Sequence, residues 1–422
     1  MTHDDPAPLR PGCSTPRAAE LRESLATVFE KIAGGALQRE LDGELPFEPV
    51  QLLKDAGFGA VRVPEVYGGR GASVQELAQL WILLGEADAN LPQVFRGHFA
   101  LVEDRLLQHS LGIDQSRWFE RFVAGEIVGN AWSEVGATAI DTQHTTLRRD
   151  GDGYSITGTK YYTTGTIFAE WVDVYARLDG EGDEFAVAIV DTRQPGVVVS
   201  DDWDGFGQRG TGSGTTTFDG AIVPSDHVLP FAERFPYQSA FFQLNLLATL
   251  VGIGRAALRD TVTEVQGRTR NFSHANAARV RDDAQVLARV GEMAAAVSAS
   301  EATTLRVATA LQDAFEGVRS GVAEQADLIE AAEVAAAAGQ VVVTELVLRA
   351  TSDLFDTLGA SAAARPKALD RHWRNARTVS SHNPRILKAR VVGGHVVNGT
   401  PPPYSWSIGR TRRDQDAEVV VR

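Results

Sequence analysis

The sequence predicts an α+β protein in three parts: an N-terminal helical domain, a central antiparallel β-domain and a C-terminal bundle of long helices. Two observations predict this fold class. In the first and last thirds of the chain, apolar residues recur at three- and four-residue spacing, the period of an amphipathic helix. In the middle third, short β-branched and aromatic segments alternate with Gly, Asp and Pro, as in strands joined by turns. We expect domains at 18–128, 129–234 and 235–422, after a disordered leader at 1–17.

Each part is predicted from its own segments, taken in chain order. The N-terminal helices are predicted from AAELRESLATVFEKIAGGAL and VQELAQLWILLGEADA, separated by the turn-forming VPEVYGGRGAS. The strands are predicted from GYSITGTKYY, EWVDVYARL, EFAVAIVDT, GVVVSDDW and TTTFDGAIVP. After about Phe235, long Ala-, Leu- and Val-rich segments with few helix breakers indicate an antiparallel bundle. Their apolar surface exceeds one helix face, which indicates contact with another subunit as well.

Composition and charge narrow the functional classes. The formal net charge of −14 disfavours a nucleic-acid groove or an anionic membrane surface as the main partner. Cys13 is the only cysteine, so we expect neither disulfides nor thiolate metal ligands, and no metal site is predicted. The leader MTHDDPAPLRPGCSTP lacks the apolar segment of a signal peptide, and no run of about 18 apolar residues is present. A cytoplasmic protein without a membrane span is therefore expected.

Four motifs in a fixed order carry the functional signal. They are AWSEVGA with DTQHTTLRRDGDGYSITGTKYYTTG, then GFGQRGTGSGTTTFDGAIVPSDHVL, then DLFDTLGAS, and finally RHWRNARTVSSHNP. Together with the helical–β–helical order, they resemble the acyl-CoA dehydrogenase superfamily over roughly residues 20–400. The resemblance implies a flavin at the junction of the β-domain and the C-terminal bundle, and a homotetramer.

Five candidate residues belong to the β-domain motifs. The resemblance places Thr164 of GTKYYTTG where relatives contact flavin N5, and hydroxyl groups or backbone amides are suitable partners for a flavin edge. Thr163 is the weaker candidate, because a strand threonine needs no functional role. Asn130, Trp132 and Ser133 belong to the segment that lines the flavin and substrate pocket in relatives. Trp132 is equally compatible with a place in the core.

The glycine-rich stretch DDWDGFGQRGTGSG and an N-terminal helix supply three more candidates. Trp203 and Ser213 match positions that meet the flavin in the monooxygenase branch of the superfamily, although a glycine-rich stretch alone is a weak signal. His98, in FRGHFALVEDRLL, matches an active-site histidine of that branch. A lone histidine on an apolar helix face is more often a satisfied core residue, so both interpretations stay open.

A second group of candidates is predicted to hold the flavin phosphate. Arginine binds phosphate through two parallel hydrogen bonds, which makes Arg270 a candidate and Arg268 a second one. Gly359 and Ser361, in DTLGAS, match the turn that relatives contribute to the flavin of a neighbouring subunit. The resemblance thus implies a site that is completed across a subunit interface.

The motif RHWRNARTVSSHNP distinguishes two chemistries. A dehydrogenase needs a carboxylate base to remove the proton α to the thioester, and the usual glutamate position falls on Asn383. An amide cannot act as that base. The alternative base position is also empty, because Phe235–Leu258 contains neither Asp nor Glu. Ordinary α,β-dehydrogenation is therefore not expected.

The same motif, followed by KAR and VNGTPPP, resembles the flavin-dependent monooxygenases of this superfamily, such as dibenzothiophene monooxygenase. These enzymes take reduced flavin from a separate reductase, add O₂ at the flavin C4a atom as a hydroperoxide and pass one oxygen to a small organic substrate, aromatic or heteroatom-containing. No dinucleotide-binding fingerprint is present, so a separate NAD(P)H:flavin reductase is expected. The branch favours reduced FMN, with FAD as the alternative.

The resemblance also assigns catalytic roles and leaves alternatives. His382, His98, Asn130 and Thr164 are the predicted catalytic donors, and a histidine pKa near neutrality suits protonation of the departing oxygen. Asn383 and His382 are also predicted to contact the cofactor. Some members carry a second histidine at the position of Val379, so a more apolar pocket and a different acceptor are expected. A dehydrogenase or oxidase on an unusual substrate, with His382 as base, and a non-catalytic flavin-binding scaffold remain alternatives.

Overall fold

The computed structural model describes residues 16–136, 143–180 and 184–405. Most of the predicted leader, with Cys13, lies outside the described residues, and the last two residues of the leader already belong to the first helix. The described elements are helices, then a sheet of mostly antiparallel strands, then long helices, which confirms the predicted fold class. The predicted domain boundaries stay a prediction.

The N-terminal part consists of helices of moderate length that surround one face of the later bundle. They are α1 (Pro16–Asp42), α2 (Phe47–Asp55), α3 (Val74–Ala87), α4 (Leu91–Val94), α5 (Arg96–Ser110) and α6 (Ser116–Val123). A capping box starts α3: the Ser73 hydroxyl accepts the Glu76 N–H at 3.1 Å, and the Glu76 carboxylate accepts the Ser73 N–H at 2.8 Å. This cap ends the turn-forming stretch at the place that the sequence predicts.

The central sheet contains all five predicted strand segments and three short strands that were not predicted. Its strands are β1 (Val128–Ala131), β2 (Thr146–Asp150), β3 (Gly153–Lys160), β4 (Trp171–Leu178), β5 (Phe185–Asp191), β6 (Val197–Val199), β7 (Thr216–Val223) and β8 (Val228–Pro230). Their order is β6-β7-β3-β2-β4-β5-β8, with β1 also paired to β4. The pairs β1–β4 and β2–β4 are parallel, and the other pairs are antiparallel.

The C-terminal part is built on three long helices. They are α7 (Gln238–Gly267), α8 (Ala284–Ser320) and α9 (Gln325–Leu358), followed by the shorter α10 (Asp370–Ser381) and α11 (Lys388–Asn398). Helix α7 is central, because it packs against α3, α8, α9 and α10. The ends of α8 and α9 are marked by Gly321 and Gly359, whose φ angles of 61° and 69° favour glycine.

Two of these helices, α7 and α9, are long and apolar enough to cross a membrane by length and composition alone. However, 83% of the apolar window of α7 and 56% of that of α9 are buried inside the protein. Burial of this kind is also a property of core helices, so the expectation of no membrane span stays a prediction.

Candidate active site

The candidate site lies where β1, α5 and the C-terminal bundle meet. Gly97, in the first turn of α5, lies against β1, because a Cβ atom on this glycine would come within 2.6 Å of the Asn130 Cβ atom. Phe242, near the start of α7, packs edge-on against Trp132, with ring centroids 5.6 Å apart. One short region of each domain therefore lies at the candidate site, and the region bounded by Asn130, Trp132 and Phe242 is called the cavity below.

The glycine-rich loop (residues 201–214) connects this region to α10. The Gln208 N–H group donates to Asn375 Oδ1 at 2.6 Å, and Arg374 donates to the Phe206 carbonyl at 2.9 Å. Both α10 residues precede the HNP sequence by less than three helical turns. The contacts therefore hold the C-terminal end of α10 beside the loop that carries the predicted flavin-contacting residues.

A chain of hydroxyl groups runs from the strand end into the glycine-rich loop. Thr164 Oγ1 lies 2.7 Å from Ser213 Oγ, which lies 2.7 Å from Thr211 Oγ1. Thr211 donates its proton to the Gln208 carbonyl at 2.8 Å. Since a hydroxyl group has one proton, Ser213 must donate to Thr211, and Thr164 donates to Ser213 rather than to the Tyr162 carbonyl, which is farther away at 3.4 Å. The Thr164 oxygen is then left as an acceptor for a group in the cavity.

Asn130 and Trp132 are held in place by different contacts. The Asn130 N–H group donates to the Thr164 carbonyl at 3.1 Å, while its side chain makes no hydrogen bond within the described part of the chain. The Trp132 indole donates to Asp173 at 2.6 Å, and the same carboxylate pairs with Arg234 at 2.6 Å. The ring of Trp132 is thus fixed as an apolar wall, and the amide of Asn130 keeps its hydrogen-bonding capacity.

The structure places two other β-domain candidates differently. The Thr163 hydroxyl donates to the Gly214 carbonyl at 2.9 Å and lies 2.7 Å from the Thr216 hydroxyl, so it is already used between strands. Ser133 forms an isolated bridge with Tyr161, and its side chain is exposed. Neither set of contacts favours the predicted cofactor contact by the side chain, which stays a prediction for both residues.

Trp203 lies at the outer edge of the site. Its indole donates to the Gly207 carbonyl at 3.2 Å, and its ring lies edge-on to Tyr162, with centroids 5.9 Å apart. Tyr162 has a φ angle of 57°, in the left-handed region that a tyrosine rarely adopts. Such backbone strain is found most often at functional sites. Tyr162, which the sequence analysis did not select, is therefore a further candidate for the site.

His382 and Asn383 follow the last residue of α10. Asn383 is 3% exposed, and neither its Nδ2 nor its Oδ1 atom has a hydrogen-bond partner among the described residues. His382 is exposed to solvent, but the protein atoms around it desolvate the ring, and the positive charge of Arg96 adds to this effect. Both lower the pKa of His382.

Desolvation and Arg96 therefore shift the pKa of His382 downward from the near-neutral value expected from the sequence. A lowered pKa means that the imidazole is neutral at pH 7 and offers one N–H donor and one acceptor. The physical reason is the combined effect of desolvation and a nearby cation, which both disfavour the charged ring.

The predicted phosphate-binding group forms a separate cluster. Arg268 donates to the carbonyls of Leu358 and Arg270, and its guanidinium lies beside Gly359. The side chains of Arg270 and Ser361 are exposed. The structure therefore brings the four predicted residues together at the adjoining ends of α7 and α9.

This cluster is far from the cavity in the same chain. Phe242 and Arg268 are separated by 26 positions along α7, which corresponds to about 39 Å at the rise of an α-helix. That distance is longer than a flavin mononucleotide. One chain alone therefore does not bring the two groups of predicted residues to one flavin.

His98 lies among aromatic side chains of the N-terminal helical part. Its Nε2 atom lies 2.8 Å from the Gly59 carbonyl, and its side chain is fully buried. Three aromatic rings pack edge-on against the imidazole: Phe95, Phe99 and Phe122. Positions 96 and 98 lie about 200° apart around α5, so the first turn directs Arg96 to the cavity side and His98 to the N-terminal core. The contacts favour the core interpretation over the predicted catalytic role.

Burial of His98 predicts a pH-dependent stability. Desolvation lowers the pKa of His98 from 6.5 to about 4, so the unfolded chain binds more protons in this interval. The stabilisation is present above pH 6.5 and is lost as the pH falls towards 4. His98→Gln keeps an N–H donor for Gly59 and cannot titrate. Between these pH values, we expect the free energy of unfolding to fall by about 1.4 kcal/mol more per pH unit in the wild type than in the variant.

Urea unfolding at several pH values in this interval measures both slopes. Above pH 7, His98 is neutral in both the folded and the unfolded wild type. The free energies of unfolding of the two proteins should therefore differ there by a constant amount, which is the control. Equal slopes for the two proteins would contradict the assignment of His98 to a closed core.

Arg96 is the second residue that the sequence analysis missed. It is 7% exposed, its guanidinium lies over the Phe242 ring at 5.1 Å, and its charge acts on His382. The only signal in the sequence was an arginine inside the otherwise apolar segment LPQVFRGHFAL. Neither the helical period nor the motifs indicate that this arginine is buried.

Comparison with known families gives matches along most of the chain. The model of the acyl-CoA dehydrogenase N-terminal domain matches residues 15–126, that of the middle domain matches 131–221, and that of the C-terminal domain matches 244–384. The three matches follow the order of the helical part, the sheet and the bundle.

Individual relatives are similar over nearly their whole length. A dibenzothiophene monooxygenase from Rhodococcus qingshengii is 26% identical over 395 residues, 88% of this chain and 92% of the relative. The probable FMNH₂-dependent monooxygenase SfnC from Pseudomonas putida is 26% identical over 401 residues, 91% of this chain and 97% of the relative. The FMN-bound crystal structure of TdsC from Paenibacillus sp. A11-2 has a TM-score of 0.84 at 28% identity, with 92% of this chain and 99% of that chain covered.

Proposed function

The chain belongs to the acyl-CoA dehydrogenase family, and from this premise we propose that it is a two-component flavin-dependent monooxygenase. It uses reduced FMN and O₂ to oxygenate a small organic substrate, and a separate reductase supplies the reduced flavin. The monooxygenase relatives and the FMN-bound structure support this choice within the family. FMN is preferred to FAD for the same reason.

The environment of Asn383 carries the proposal. The position that resembles the catalytic glutamate of dehydrogenases holds a buried amide with two unpartnered polar atoms. An amide does not remove a proton at neutral pH, so this position supplies hydrogen bonds instead of a base. Unpartnered buried polar atoms are unfavourable, and a ligand with its own donors and acceptors would satisfy them.

The residues present fit a reduced flavin. The hydroxyl chain leaves Thr164 as a hydrogen-bond acceptor, and a reduced flavin carries a proton on N5, whereas an oxidised flavin does not. Trp132 and Phe242 supply an apolar wall that excludes water. Arg270 and Arg268 would hold the phosphate group, as contributions from a neighbouring subunit.

Reduced FMN, when bound, supplies the two electrons that allow one atom of O₂ to be transferred to a substrate. The residues of this chain bind and orient the reactants. The side chain of Asn130 makes no hydrogen bond to a described residue, and together with His382 it would steady the oxygen that reacts. The neutral imidazole of His382 would donate from its N–H group, and Thr164 would fix the flavin edge.

The dehydrogenase alternative has one carboxyl group to consider. Burial raises the pKa of Glu333 to about 7, and this residue lies on α9 near the start of α7. Its Oε1 atom accepts the Ala240 N–H at 2.8 Å, and Lys388 faces it. The carboxylate thus caps α7 by a hydrogen bond to its N-terminal turn. This structural role explains its burial without assigning it to proton abstraction.

Further parts of the proposal concern the assembly and the compartment. The 39 Å between the two groups of predicted flavin-binding residues supports a homotetramer in which neighbouring subunits complete each site. A cytoplasmic location fits an enzyme that depends on a soluble reductase. Domains at 18–128, 129–234 and 235–422 are part of the same proposal.

Isotope transfer tests the proposed function. The protein, a flavin reductase, NADH and FMN are incubated under ¹⁸O₂ with dibenzothiophene and other small aromatic or sulfur- and nitrogen-containing compounds. We expect a product that contains one ¹⁸O atom and depends on the reductase. Bleaching of bound oxidised FMN by an acyl-CoA under anaerobic conditions, without reductase, would instead identify a dehydrogenase. Failure to bind reduced FMN would favour the scaffold alternative.

A further inference from the structure

Arg96 is a buried cation for which no described residue supplies a counter-ion. Among the residues that the structure describes, four arginines are buried, and three of them pair with a carboxylate: Arg62 with Glu103, Arg105 with Asp104 and Arg234 with Asp173. Arg96, 7% exposed, has neither a salt bridge nor a hydrogen bond to any described residue, and its Nε atom is fully buried. A buried charge is strongly unfavourable unless it is paired, so the missing partner needs an explanation.

The surroundings of Arg96 are apolar. Its guanidinium lies 5.1 Å from the centroid of the Phe242 ring. Desolvation lowers its pKa to about 10, with no opposing effect from a carboxylate, so the side chain remains charged at neutral pH. A guanidinium over an aromatic face keeps its N–H groups at the edge available for a planar anion.

The position of Arg96 connects it to the candidate site. It is the first residue of α5, and the next residue, Gly97, lies against Asn130. Phe242, under the guanidinium, packs on Trp132. The unpaired charge therefore lies over Phe242, next to the residues that define the candidate site.

We propose that Arg96 binds an anionic group of the substrate, so that the enzyme acts on small organic acids with a carboxylate or a sulfur oxyanion. The inference rests on the proposed function, because it takes the cavity to be the place where the substrate is oxygenated. A carboxylate, sulfinate or sulfonate presents two oxygens that match the two N–H groups of one guanidinium edge. The aromatic wall of Trp132 and Phe242 then accommodates the apolar part of the same molecule.

Reduced FMN also carries negative charge, so both the flavin and an anionic substrate could pair with Arg96. Binding of each must therefore be measured separately. The flavin phosphate already has Arg268 and Arg270 as proposed partners. The charge of the reduced ring is the remaining competitor for Arg96. Substrate binding and flavin binding are therefore measured independently on the same variants.

Calorimetric titration of the full-length, FMN-loaded protein tests the proposal with matched pairs of probes. The pairs are benzoate and benzamide, and benzenesulfinate and methyl phenyl sulfone. We expect the wild type to bind at least one anion about tenfold more tightly than its neutral partner. Arg96→Met should abolish the preference, and Arg96→Lys should retain part of it. Arg117→Met, at an exposed arginine outside the cavity, is the control and should leave the preference unchanged.

The outcomes separate the possible errors. Absence of an anion preference in the wild type, or its persistence in Arg96→Met, would overturn the proposal. An unchanged thermal midpoint of Arg96→Met, or a higher one, excludes misfolding, since methionine removes an unpaired buried charge. If Arg96→Met instead weakens anaerobic binding of reduced FMN tenfold without an effect on anions, Arg96 pairs with the flavin and the proposal is wrong. An intact anion preference without ¹⁸O transfer would refute the proposed function and leave the anion site standing.

Discussion

His382→Ala is expected to lower coupled oxygenation about 10²–10⁴-fold, the usual contribution of a positioned proton-transfer or hydrogen-bonding group. The ring stands at the end of α10, beside the unpartnered amide of Asn383. Without it, reducing equivalents should leave the enzyme as hydrogen peroxide. The measurement is the ratio of oxygenated product to NADH consumed, with hydrogen peroxide assayed in parallel.

A second variant shows how His382 acts. Because desolvation and Arg96 lower the pKa of this ring, it is neutral in the working range and acts through its N–H group. His382→Gln keeps such a donor and should retain clearly more coupled turnover than His382→Ala. Lowering the pH from 8 to 7 should leave coupling unchanged, since the imidazole stays neutral throughout. Equal defects in both variants, or full coupling in His382→Ala, would contradict this role; His109→Ala, at the far end of α5, is the control.

Arg270→Ala is expected to weaken FMN binding about 10- to 100-fold, which corresponds to one charge-assisted hydrogen bond of about 1.5–3 kcal/mol. The side chain is exposed and lies at the end of α7 that is remote from the cavity of its own chain. The loss should therefore leave the fold intact and affect the site of a neighbouring subunit. Anaerobic titration with reduced FMN measures the affinity.

Co-expression of His382→Ala and Arg270→Ala tests whether sites are shared, provided that activity is assayed at a reduced-FMN concentration well below the weakened Kd of Arg270→Ala, where both variants alone are nearly inactive. His382→Ala damages the cavity, and Arg270→Ala damages the group that another chain would contribute. In randomly mixed oligomers, about a quarter of the sites combine an intact cavity with an intact arginine from the neighbour. Activity should return to about that level in the mixture and in neither variant alone. A mixture that remains as inactive as its components would show that each chain uses its own arginine or none.

The sequence allowed the fold class to be predicted because the relevant signals are local. The five strand segments and the three long helices occupy the predicted stretches. They could be predicted because the periodicity of apolar residues, the turn residues and the helix caps each depend on a few neighbouring positions. The short strands β1, β2 and β8 were not predicted. Strands of three to five residues carry too little periodicity, and β1 and β8 are defined by their pairing with β4 and β5, at least 40 positions away.

For the candidate site, the motifs of the sequence determined which segments meet, and the tertiary structure decided which side chains face the cavity. Thr164, Ser213 and Asn130 came together as the motifs predict. His98 and Arg96 are two positions apart in one motif, yet opposite in orientation, because a helix turns about 200° between them. Whether the charge of Arg96 is buried, and whether a carboxylate lies beside it, depends on residues from distant segments such as Phe242 on α7. The sequence by itself therefore determined the architecture and the family chemistry. Only the tertiary structure decided that Arg96 has no counter-ion among the described residues, and that the two groups of predicted flavin-binding residues are separated by the length of α7.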